Sequence, residues 1–341
     1  MDNQSLGFVT LGDIPLPRLL ELARLADRAG LSSVWIADEP FFRGAIPTAA
    51  ACAVVTERIR LGLGIVNPYD HPPVWMAKDF GTLQELAGER MVLGIGASWR
   101  PPIEAQGIPW TKPLSAVADT VHIVRELLAR GTSSHQGGKF QTTNVTLNFE
   151  PPLAHSVIHT ASMFPKSLAQ ASVLADGVII SILCPVPYIR QAKTIIRDGT
   201  TSVGRDPSRF EIVQYLPMEV SEDGDSARCS VKRHLAFFIK HSYGSDPEHW
   251  VKVAELGKFD VAEFDAIYQR VSAGDEPEEV IEDQFVDRFS VAGTPSHCLD
   301  ILAQYKDAGT TEAVALFPPW ANLEEQVRVI AERLVPEWQR L

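Results

Sequence analysis

Asp38 and Glu39 stand side by side at the end of a short apolar run, "SVWIAD", and neighbouring carboxylates are the residue types of general acid–base chemistry. Two such charges at the mouth of an apolar strand repel, and one is pushed to hold its proton above the ordinary carboxylate range. The plainer use of one of them is to cap the segment that follows. A second group lies in "LGLGIVNPYDHPPVW", Leu61 to Trp75, where Gly62 and Gly64 interrupt a strand-like run. Glycine there forfeits packing, so it marks a bulge or a close approach of backbone or ligand. A third group, "GIGASW", adds Gly94 and Gly96 before Ala97, Ser98 and Trp99. Together these two glycine-rich ends leave room for a flat, wide ligand against the backbone. Tyr69 and Trp99 could supply aromatic faces or simply pack the rim.

These groups need elements to position them, and the chain supplies a regular alternation. Apolar runs of strand length (SLGFVT, SVWIAD, RLGLGIV, MVLGIG, VIHTAS, GVIISI, EIVQYLPM and EAVALFP) are separated by segments with apolar residues at helical spacing. Eight parallel-type strands with intervening helices predict an α/β TIM (β/α)8 barrel spanning 1–341 as one domain. A small β excursion is expected at 132–152, and a helical insertion at 223–287, between strands 7 and 8. A doubly wound sheet is the competing architecture, but "FVTLGDIPLP" lacks its phosphate fingerprint, and "GIGAS" is only a fragment of one. In a barrel the C-terminal strand ends carry the chemistry. Those ends are Thr10 to Gly12, Asp38 to Pro40, Gly64 to Tyr69, Gly94 to Trp99, Thr160 to Met163, Ser181 to Cys184, Met218-Glu219 and Phe317-Pro318.

Composition narrows the partners. A formal net charge of -12, from 43 acidic and 31 basic side chains, with no dense Lys/Arg cluster, excludes nucleic acid as the expected ligand. No apolar run approaches membrane-spanning length and the start lacks a secretion signal, so a cytoplasmic protein acting on a small molecule is expected. Cys52, Cys184, Cys229 and Cys298 are scattered and are read as reduced, mostly buried thiols. His71, His122, His135, His155 and His159 form no pair at ligand spacing, so no metal site is expected; His159 is read as a hydrogen-bonded barrel residue.

"SVWIADE", "IRLGLGIVNPYDHPP", "TLQELAGERMVLGIGAS", "SLAQASVLADGVII" and "FSVAGTPSHCLDILAQYKDAGTTEAVAL" occur in the order found in the bacterial luciferase-like flavin and deazaflavin enzymes. The chain resembles that superfamily over nearly its whole length, and within it the F420-dependent branch typified by methylenetetrahydromethanopterin reductase. The resemblance implies a deazaflavin lying across the third and fourth strand ends, backed by a bulge with a non-prolyl cis peptide at Gly64-Ile65. Val66 and Asn67 would complete that bulge, and Gly96, Ala97 and Ser98 the adjoining strand end. It places Asp38 near the ring's polar edge and a phosphate-holding loop at Thr160, Ala161, Ser162, Met163, Phe164 and Pro165, followed by Lys166 at a helix start. Asp38 and Glu39 are the residues expected to steer or exchange protons. The implied activity is hydride transfer between F420 and an organic substrate with an apolar or aromatic part, a pterin by resemblance. FMN with monooxygenase chemistry, and a non-catalytic barrel serving as a binding or dimerisation partner, are the alternatives. The sequence departs from the family pattern at Val9-Thr10, where an acid is usual; at Glu39, where histidine is common; in "SMFP"; and at Asp70, where an arginine is expected. A homodimer is implied, with the small-residue segment "PTAAACAVV" at the contact or packed on the barrel.

Overall fold

The apolar runs become eight parallel strands that close on themselves. In the computed structural model, which describes residues 5–152 and 155–340, the barrel strands are β1 (Ser5–Thr10), β2 (Ser33–Ile36), β3 (Arg60–Val66), β4 (Met91–Ile95), β5 (Val157–Ala161), β6 (Gly177–Ile180), β7 (Glu211–Val220) and β8 (Glu312–Leu316). Each pairs with the next, β8 returns to β1, and the pairings are all parallel. This is the (β/α)8 barrel expected from the alternation. Among the described residues no helix is long and apolar enough to cross a membrane.

Alternation along each strand sends every second side chain into the barrel. Trp35 fills much of that interior: its ring lies where a Cβ on Gly62 or Gly64 would fall. Tyr215 reaches from β7 to the same place, its hydroxyl donating to the Gly64 carbonyl at 3.3 Å. The glycines that looked like room for a ligand are therefore required first by the interior. Trp35 and Tyr215 occupy the space their side chains would need.

The floor of the barrel is polar. Arg60, Glu211 and Glu312, which open β3, β7 and β8, meet there, with Arg60 2.9 Å from Glu211 and 3.7 Å from Glu312. Glu312 also accepts from Ser33 and, at 2.9 Å, from the Trp35 indole. His159 is buried beside this cluster, 3.5 Å from Glu211, stacked on Trp35, and neither ring nitrogen makes a hydrogen bond. The sequence reading of a hydrogen-bonded histidine is corrected to this extent. Burial pulls its pKa down to about 4, so the ring is neutral and acts as a packing element.

Outside the barrel, Thr132–Ser133 pairs antiparallel with Val145–Thr146. The region after β7 forms helices Gly224–Phe238, Pro247–Gly257, Ala262–Ala273 and Asp283–Phe289. It closes with Val291–Gly293, a strand alongside the end of β7 that the sequence pattern did not reveal. After β4, Arg100–Ala105 is helical and buries Ile103 against Tyr69 and Ala116. Cys52, Cys184 and Cys298 are buried free thiols, and Cys229 is half-buried.

Candidate active site

Strand β3 does not run straight into its loop. The Gly64-Ile65 bond is cis, as the resemblance implied, and the β3–β4 register shifts between Leu63 and Val66. Backbone hydrogen bonds stitch the displaced segment to its neighbours: the Asp38 N–H donates to the Ile65 carbonyl at 3.3 Å, and the Gly96 N–H to the Val66 carbonyl at 3.2 Å. A Cβ on Gly96 would come 3.0 Å from both Ile65 and Ala161. The ends of β3, β4 and β5 thus form one shelf of backbone and small side chains, with Ile65, Gly96 and Ala161 touching.

Asp38 and Glu39 follow β2 at the edge of this shelf. Asp38 does cap the next helix, since its Oδ1 accepts the Ala45 N–H at 2.9 Å. Its Oδ2 lies 3.5 Å from His71 Nδ1, which in turn lies 3.0 Å from Asp70. Burial raises the Asp38 pKa, a rise opposed by the Ala45 N–H and His71 and reinforced by Asp70. Hydrogen bonding to Asp70 holds the His71 pKa up, against its partial burial, and the Asp38 charge adds to the effect. Glu39 is exposed by area, yet protein surrounds it. Desolvation raises its pKa and the Asp38 charge raises it further. An accessible carboxyl with a desolvated environment is a pocket-wall group, and its charge is felt at the Tyr215 hydroxyl inside the barrel.

Asp70 and His71 were missed as site residues because their partner comes from another loop. Asn67 sets this loop. Fully buried, its amide donates to Asp70 at 2.9 Å, and its carbonyl accepts the Tyr69 and Asp70 N–H groups. Ligand atoms of Asp38, Asp70 and His71 lie within 4.8 Å of one another, an arrangement no linear spacing announced. Tyr69 is not the open aromatic face considered from the sequence: it is buried, stacks on Trp110, and donates to the Thr111 carbonyl at 2.9 Å. Trp110 also holds the Ala97 carbonyl at 2.9 Å, just before Ser98, whose φ of 56° turns the chain away. Trp99 remains 44% exposed at the rim.

The loop after β5 reaches the same end of the barrel. Thr160 is buried with its hydroxyl lacking a hydrogen-bond partner, and Ser162 donates to the Ser167 carbonyl at 3.2 Å. Tyr188 fixes the Met163 carbonyl at 2.8 Å, and Phe164 packs edge-on against His249 of the insertion. Ser167 accepts the Phe164 N–H, closing the turn into helix Pro165–Leu174, with Lys166 exposed in its first turn. A helix N-terminus with an adjacent lysine is suited to an anion.

Several known proteins share this arrangement of elements. The 5,10-methylenetetrahydromethanopterin reductase of Archaeoglobus fulgidus is 28% identical over 340 residues, covering 97% of this chain and 98% of that protein. The structure of the coenzyme F420 dependent tetrahydromethanopterin reductase from Methanopyrus kandleri superimposes with a TM-score of 0.87 at 21% identity, over 98% of this chain and 99% of that one. A riboflavin lyase with modified FMN and riboflavin superimposes with a TM-score of 0.78 at 14% identity, over 99% of this chain and 92% of the other. Residues 3–312 match the family described as luciferase-like monooxygenase, and the chain belongs to that family.

Proposed function

We propose that the protein is an F420-dependent oxidoreductase that moves a hydride between the deazaflavin and an organic substrate. The observation that carries the reading is the aliphatic shelf of Ile65, Gly96 and Ala161, tied to the Asp38 backbone and followed there by Glu39. A flat tricyclic ring fits it, with Gly64, Ile65, Val66 and Asn67 on one flank and Gly96, Ala97 and Ser98 on the other. Ala161, Ser162, Met163 and Phe164 shape the turn beside it, and Lys166 with the helix start would hold a phosphate. Bound there, F420 supplies the hydride chemistry, and the protein supplies placement and electrostatics. Asp38, braced by the Ala45 N–H and His71, orients the polar edge of the ring. Glu39, desolvated and reachable from the mouth, holds or exchanges a proton there.

Sequence relatives named as F420-dependent support the deazaflavin; a fold neighbour holding FMN supports the second reading, an FMN-dependent enzyme on the same shelf. Titration of purified protein with each cofactor, followed by absorbance and by thermal shift, decides between them. Micromolar binding of F420 is the expected result. Binding of FMN alone sinks the deazaflavin reading, and binding of neither returns the protein to the non-catalytic alternative.

A homodimer belongs to the same proposal. The small residues Ala45, Ala49, Cys52 and Ala53 pack inward, so helix-on-barrel packing already accounts for them. What faces outward is Val54 at 72% and Trp75 at 60% exposure, on adjoining helices. Sedimentation velocity should show a species of twice 37.5 kDa, and a monomer at micromolar concentration refutes the dimer.

A further inference from the structure

We propose that His71 is a positioning residue that sorts the two adjacent carboxyls of the site: clamped between Asp70 and Asp38, it keeps the negative charge on Asp38 and leaves the proton on Glu39. The proposal rests on the hydride-transfer reading only for the use made of that proton; the sorting itself belongs to the cofactor-free protein.

The clamp is built from two loops. Nδ1 of His71 lies 3.0 Å from Asp70 Oδ1 and 3.5 Å from Asp38 Oδ2. Ionised carboxylate oxygens only accept, so Nδ1 carries a hydrogen in both states of the ring and the titrating proton sits on Nε2. The other oxygen of each carboxylate is already taken: Asp70 Oδ2 accepts from the Asn67 amide and Asp38 Oδ1 from the Ala45 N–H, each at 2.9 Å. Asn67 is fully buried and Ala45 begins the helix Ala45–Val55, so both donors are held in place.

Asp38 therefore faces two donors, one of them a cation when His71 is protonated. Glu39 beside it has neither a hydrogen bond nor a cation among the described residues to offset its desolvation. Hydrogen bonds and an opposite charge favour an ionised carboxyl, and desolvation without them favours the neutral acid. Two carboxyls that share a strand end but not their surroundings are pushed toward different protonation states, so one site holds both an anion and an acid. The charges facing the clamp are few. Asp70, Asp38 and Asp79 all act to keep the proton on His71. On Asp38 the pull of His71 works against burial and against the Asp70 charge. Glu39 answers to its desolvation and to Asp38. Removing His71 and removing the Asp70 charge therefore move Asp38 in opposite directions, a signature that loosened packing does not produce.

The test follows both effects. In cofactor-free protein with isotope-labelled side-chain carboxyls and histidine rings, NMR titration is expected to show Asp38 ionising at lower pH than Glu39, the signals being assigned with Asp38→Asn and Glu39→Gln. His71→Gln, which changes a side chain already 33% exposed, should move the Asp38 midpoint to higher pH. Asp70→Asn, nearly isosteric, should move the Asp38 midpoint to lower pH and lower the His71 midpoint as well. In the F420-loaded protein the acid limb of the hydride-transfer rate should follow the same two shifts. His71→Gln should be about tenfold slower than wild type on that limb, while the alkaline limb set by Glu39 stays in place. Asp38 ionising above Glu39 in wild type, or an Asp38 midpoint that is the same in wild type and His71→Gln, overturns the proposal. Midpoints that shift as expected in the cofactor-free protein, with a hydride-transfer profile that ignores both variants or no transfer at all, count against the hydride-transfer reading and leave the sorting standing.

Discussion

Glu39→Gln in the F420-loaded protein is expected to lower hydride transfer by about 100-fold or more, the range found when a positioned acid or base is removed. The wild-type rate should fall as pH rises through the raised pKa of Glu39, because the proton it holds is then lost; the variant should lack that limb. Stability should move the other way. A carboxyl whose folded-state pKa is raised destabilises the fold at neutral pH, since ionisation is easier in the unfolded chain. Glutamine removes that penalty, so the variant should melt higher at pH 7. The difference should vanish below the ordinary carboxylate value of 4.5, where Glu39 is protonated in both states. Activity within threefold of wild type, with the alkaline limb retained, would remove Glu39 from the proposed chemistry.

Gly62→Val should be the most damaging single change to the fold. A Cβ at Gly62 falls on the Trp35 ring, which also packs on His159 at 5.8 Å and edge-on to Tyr215 at 6.3 Å. Overpacking of this kind costs about 1–3 kcal/mol and sometimes more. Urea unfolding should show a loss at the upper end of that range or no folded protein at all. Gly62→Ala with Trp35→Leu should be less destabilised than the sum of the two single variants, because the second substitution vacates the space the first invades. Strict additivity would show that the ring is not what excludes a side chain at Gly62.

The barrel was legible because its strands are nearly continuous apolar runs and its helices carry a 3.6-residue period. Asp38 and Glu39 were legible because two carboxylates at the end of an apolar strand are conspicuous. The Gly64-Ile65 bulge was read through resemblance, and the reason for the glycines was not: only the folded interior shows Trp35 and Tyr215 in their way. His71 could not be joined to Asp38 from spacing, since the two lie 33 positions apart on different loops. Val291–Gly293 escaped because three residues are too few to carry a period.

The Tyr215 hydroxyl on the Gly64 carbonyl has a bearing on how such a protein changes its substrate. It is a contact inside the barrel that ties the middle of β7 to the bulge of β3. Residues 224–289 take no part in this bond, so side chains brought over the mouth by changes there leave it untouched. The shape of the bulge is thus anchored from within the barrel, independently of the insertion, by one phenol ring.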